Sequence, residues 1–122
     1  MTGSGRIPEF RELTNSERSL LERLLEQGTP RAKVYAEQLS QVTVVSRCSC
    51  GCPTIDPAVR GQAASPGSPS EILSEARGMS PEKVQFGIIL HAREGLLSEL
   101  EVYALGEAGA FTLPEIDRIE FG

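Results

Sequence analysis

The sequence predicts an α+β domain, an N-terminal helical hairpin packed on a mostly antiparallel sheet of about four to five strands. Three observations lead there. Leu20, Leu21, Leu24 and Leu25 recur at the spacing of one helix face. Thr43, Val44 and Val45 belong to a β-branched run. Val84 to Leu105 holds two apolar runs joined by Arg93-Glu94-Gly95, the pattern of a hairpin. The whole chain, 1–122, reads as one domain, long enough to bury roughly two-thirds of its extended surface.

The first helix starts at Thr14, whose hydroxyl caps the first turn while Glu17 reaches back to its amide, and runs to Gln27. Gly28 then suits a left-handed ending. Pro30 opens a second helix with Val34, Tyr35 and Leu39 as its buried stripe. Gln41 to Arg47 forms a strand leading into the cysteines, and Ile55 begins another. From Asp56 to Ser70 the chain is rich in Pro, Gly, Ser and Ala, with too little apolar surface to offset ordering, so a mobile loop is expected over 56–70. Glu71 to Ala76 reads as strand in preference to helix.

The hairpin register follows from polarity. A two-residue loop, Glu94-Gly95, would set Leu90 opposite Glu99 and Ile88 opposite Glu101, placing carboxylates against the core. A three-residue loop pairs Ala92 with Leu96, Leu90 with Ser98, Ile88 with Leu100, Phe86 with Val102 and Val84 with Ala104. That register is the expected one, and it leaves His91, Leu97, Glu99, Glu101 and Tyr103 on the outer face. Phe111, Ile119 and Phe121 are expected to anchor a closing segment after the Gly-rich loop 106–110.

The net charge of −5 is uneven: residues 1–60 carry eight basic and seven acidic side chains, residues 61–122 four and ten. Nucleic acid is not expected as a direct partner, because the longest basic concentration is Arg31 and Lys33. A basic protein surface fits the acidic half better. No apolar run approaches the roughly 18 residues that span a bilayer, and the first six residues lack the apolar stretch of a signal peptide, so a soluble, cytoplasmic protein is expected.

Reactive chemistry concentrates in Arg47-Cys48-Ser49-Cys50-Gly51-Cys52-Pro53. Three thiolates at Cys48, Cys50 and Cys52, with His91 or a carboxylate as fourth ligand, form a candidate zinc site. Alternate residues of a strand stand about 6.6 to 7 Å apart, so one ion would reach them only if Gly51 bends the backbone. Cys50 with Cys52 is the alternative, a redox pair; the third reading has the cysteines simply packing. His91 lies diagonal to Glu99 on the outer face, which suggests a general acid/base pair. No nucleophile elbow, phosphate loop, dinucleotide fingerprint or H-E-x-x-H is present.

The stretch from Gly87 to Tyr103, with L-H-A-R-E-G-L-L-S-E-L-E-V-Y at its centre and Leu113-Pro114-Glu115 following, resembles a family of small uncharacterised bacterial proteins with this hairpin ending. The resemblance covers about the last third of the chain and implies helices before an antiparallel sheet, with no activity attached. Three functions are expected in order. First is a non-enzymatic interaction module, in the manner of an immunity protein, using His91, Glu99, Glu101 and Tyr103 against a basic partner, with homodimerisation left open. A metal-binding or thiol-active protein built on the cysteines is second, and a small enzyme using His91 and Glu99 third.

Overall fold

The computed structural model describes residues 5–65, 67–107 and 109–121, and a single seven-stranded antiparallel sheet dominates it. Residues 1–4 and Pro66, Ala108 and Gly122 lie outside the described residues, and with them part of the N-terminal segment read for a signal and part of the loops at 56–70 and 106–110. The strands are β1 (Arg6–Glu12), β2 (Val42–Cys48), β3 (Ile55–Val59), β4 (Glu71–Met79), β5 (Gln85–Arg93), β6 (Leu96–Ala104) and β7 (Ile119–Phe121). They lie in the order β1-β2-β3-β6-β5-β4-β7. One helix, α1 (Asn15–Gln27), and a 3-10 helix, Ala32–Gln41, pack on one face, and a 3-10 turn, Ile116–Arg118, precedes β7.

This corrects the expected α+β class: the protein is mostly β, not a helical hairpin on four to five strands. Two causes account for the difference. Short edge strands with polar residues carry no apolar alternation to betray them, and β1 is such a strand, its Pro8 and charged side chains suiting an edge. Further, β3 occupies the start of the segment expected to be a loop from Asp56. Pro57, Ala58 and Val59 are buried there because β2 and β6 flank them, a neighbour effect that composition alone does not carry.

The capping box at Thr14 forms, and Leu20, Leu21, Leu24 and Leu25 are all buried. Gly28 is extended (φ −87°), not left-handed as expected. Close approach explains the residue instead, since a Cβ there would meet Leu73 O at 2.3 Å. The second helix is 3-10, so its repeat is three residues. Ala32, Tyr35 and Gln38 consequently share a side, and Gln38 bonds Gly95 O and Leu97 N at the hairpin tip. Val34, expected to be buried, is exposed.

The hairpin takes neither sequence register throughout. Its turn is the two-residue Glu94-Gly95, both with positive φ (54° and 76°) as a type I′ turn requires. Arg93 pairs Leu96 and Ala92 pairs Leu97, then a bulge at Ser98 shifts the ladder so that His91 pairs Glu99, Leu90 pairs Leu100 and Ile88 pairs Val102. The expected pairing of Ile88 with Leu100 is therefore wrong. The extra residue turns Glu99 and Glu101 outward without lengthening the loop, a solution the polarity argument did not consider. Phe86, Ile88, Leu90, Leu100 and Val102 face the helices as expected, joined by Leu97, and Phe111 stacks on Phe86 at 5.9 Å.

Candidate functional site

Among the described residues two clusters of chemistry-bearing side chains emerge, one concentrated in the sequence and the other assembled by the fold. The first sits on the turn between β2 and β3. Cys48 ends β2, buried, with its amide bonded to Thr54 O at 3.2 Å, so the two ends of the turn are held together. Gly51 bends the backbone with φ 88°, and a Cβ there would lie 2.9 Å from that of Ala110. The strand spacing of the cysteines is thereby folded up. Cys48 Sγ and Cys50 Sγ lie 2.8 Å apart, Cys52 N donates to Cys50 Sγ at 3.4 Å, and the three sulfurs lie within 4.8 Å of one another.

Their surroundings differ. Burial, together with the neighbouring thiols of Cys48 and Cys52, pushes Cys50 up to about 12. Burial also pushes Cys52 upward, but hydrogen bonds with Cys50 and Thr54 outweigh it and leave that thiol below its ordinary value. Cys52 also lines a cleft of about 380 Å³ with Arg47, Thr54, Ile55, Phe111 and Leu113. Thr54 is the pivot: buried, its hydroxyl donates to Val102 O at 2.9 Å and accepts from Val102 N at 2.8 Å. That side chain fixes the turn to β6 where the β3–β6 ladder is short.

The second cluster lies on the sheet face away from α1. His91 on β5 pairs directly with Glu99 on β6, but its ring bonds the diagonal Glu101, with Nε2 to Oε1 at 2.8 Å. Ser70 Oγ meets His91 Nδ1 at 2.8 Å. Arg6, from β1, donates to Glu99 at 2.8 Å and Asp56 at 2.7 Å, and Ser46 Oγ donates to Asp56 at 2.6 Å. Burial raises Glu99 above the usual carboxyl range; Glu101 and Asp56 add to this against the pull of His91 and Arg6. A cavity of about 370 Å³ opens beside Glu99, lined also by Arg6, Ser46, Asp56 and Arg93.

Of the residues expected to act, Cys48, Cys50 and Cys52 are brought together, and so are His91, Glu99 and Glu101. Tyr103 stands apart, its ring over Gly87, where a Cβ would meet it at 2.4 Å. His91, one of the alternatives with a carboxylate for a fourth ligand of the cysteines, is engaged by Glu101 and Ser70. Sequence reasoning missed Thr54, Ser70, Asp56 and Arg6. Nothing local marks them, Arg6 and Glu99 being separated by 93 positions. Comparison with protein families, curated proteins and solved structures found no match to this chain. Among the described residues no helix is long and apolar enough to cross a membrane.

Proposed function

We propose that this chain is a thiolate metal-binding protein, in which Cys48, Cys50 and Cys52 hold one soft d¹⁰ cation of the Zn²⁺ or Cu⁺ class in a reducing, cytoplasmic setting. One observation carries the reading: three sulfurs within 4.8 Å of one another on a turn bent at Gly51. A tetrahedral zinc ion at about 2.3 Å from each sulfur sets those sulfurs roughly 3.8 Å apart. Cys48 and Cys50 then open by about 1 Å. Cys52 supplies a thiolate more readily than Cys50, whose firmly held proton the metal must displace, so uptake releases protons and strengthens as pH rises. The cleft beside Cys52 is the path of entry.

The interaction reading is weaker than the sequence suggests. Glu99 is paired with Arg6 and Glu101 is hydrogen-bonded to His91, so a basic partner would have to displace contacts that already exist. Elemental analysis of untagged protein purified under reducing conditions tests the proposal. One tightly held equivalent is expected, lost in Cys48→Ser and in Cys52→Ser. Sub-stoichiometric metal, persisting after zinc is supplied to the reduced protein, would overturn it.

A further inference from the structure

We propose that the sheet face away from α1 carries a second, chemically different cation site, where His91 Nε2 and carboxylate oxygens of Glu99 and Glu101 take a first-row divalent ion of the Mn²⁺ or Fe²⁺ class. The ligand atoms of these three residues lie within 4.8 Å of one another. They project from neighbouring strands, β5 and β6, whose register is set by the ladder and the bulge at Ser98. Imidazole with two carboxylates suits this class of metal, whereas thiolates select soft ions.

Each ligand already has an outer partner. Ser70 Oγ sits 2.8 Å from His91 Nδ1 and fixes the ring so that Nε2 faces the carboxylates. Arg6 holds Glu99 Oε2 at 2.8 Å. Such outer contacts orient metal ligands and are part of a working site. The proton balance closes within the cluster. Nε2 gives up its proton when the ion binds, Nδ1 carries one instead, and the Ser70 hydroxyl, which is both donor and acceptor, turns from donating to accepting. Nitrogen and oxygen ligands at about 2.0 to 2.2 Å from an ion stand about 3 Å apart across a right angle. The observed 2.8 Å between His91 Nε2 and Glu101 Oε1 needs to widen only by a few tenths of an ångström.

Charge argues the same way. Asp56 and Glu99 share the Arg6 guanidinium, and Glu101 meets the His91 ring. A divalent cation adds positive charge where these three carboxylates converge. The cavity beside Glu99 leaves room for water on the ion's open side. This proposal stands independently of the thiolate site.

Manganese alone is the probe, because thiolates compete poorly for it. Free Mn²⁺ is followed by electron paramagnetic resonance as the protein is titrated. One equivalent is expected to bind to the parent and to a Cys48→Ser/Cys50→Ser/Cys52→Ser variant, with at least tenfold weaker binding in His91→Ala, Glu101→Gln and Glu99→Gln. Ser70→Ala, which removes only the outer partner, should weaken binding about tenfold with the fold unchanged. Glu99→Gln should also lose the manganese-dependent rise in melting temperature that the parent shows. No uptake by the folded parent, or uptake unchanged in both Glu99→Gln and Glu101→Gln, would overturn the proposal.

Discussion

Cys50 and Cys52 share a turn but not a chemistry. Cys50 is pushed up to about 12, largely by burial and by Cys48, while hydrogen bonds with Cys50 and Thr54 bring Cys52 down despite its burial. Only the thiolate is nucleophilic. Alkylation of the reduced, metal-free protein near pH 8 should therefore show one fast thiol, lost in Cys52→Ser and kept in Cys50→Ser; mapping the labelled residue by mass spectrometry checks it. A different constraint acts at Gly28. A Cβ there would stand 2.3 Å from Leu73 O and 2.9 Å from Ser74 Cβ, so Gly28→Ala must push α1 away from β4. Overpacking of this kind costs about 1–3 kcal/mol, and urea denaturation should read that loss.

At the level of elements, the hairpin and the junction of β3 with β6 set where both clusters lie. Ser98 is the additional residue of the β5–β6 ladder, and its hydroxyl is buried without a partner among the described residues. Deleting it leaves Leu97 opposite Ala92 and Glu99 opposite His91, so the single deletion should fold with stability within roughly 1 kcal/mol of the parent. Removing Ser98 and Glu99 together places Leu100 opposite His91 and reverses the faces beyond, which should abolish cooperative unfolding. Circular dichroism melts separate the two. Thr54→Val preserves shape while leaving Val102 N and O without their side-chain partner. A loss of roughly 1–3 kcal/mol for each group left buried and unpaired is expected in urea titration.

Over the whole molecule, two carboxyls make opposite contributions to stability as pH changes. Glu17 resists its own burial through hydrogen bonds to Arg11 and to Thr14, and its carboxyl is held below the usual range. Its contribution is present above the unfolded-state value of about 4.3 and disappears as pH falls through the lower folded-state value. Glu99 is raised, so the folded state binds the extra proton, and its charge becomes destabilising as pH rises from the unfolded value through the folded one. Glu17→Gln should accordingly destabilise at neutral pH and have little effect in acid. Glu99→Gln should stabilise at neutral pH, with the gain vanishing in acid. Chemical denaturation across pH 3–8 checks both signs.

Local periodicity determined α1, its Thr14 cap, the inward set of Phe86, Ile88, Leu90, Leu100 and Val102, and the anchoring role of Phe111. Each depends on residues within a turn or a strand of one another, or on apolarity alone. The cysteine cluster was visible as a motif, but its convergence required the left-handed backbone at Gly51. Tertiary structure decided the rest: strand pairing made β1 and β3, and a bulge set the hairpin register. It also joined Ser70 to His91 and Arg6 to Glu99, because a hydrogen bond between strands depends on which edges meet, and that is a property of the assembled sheet rather than of any segment.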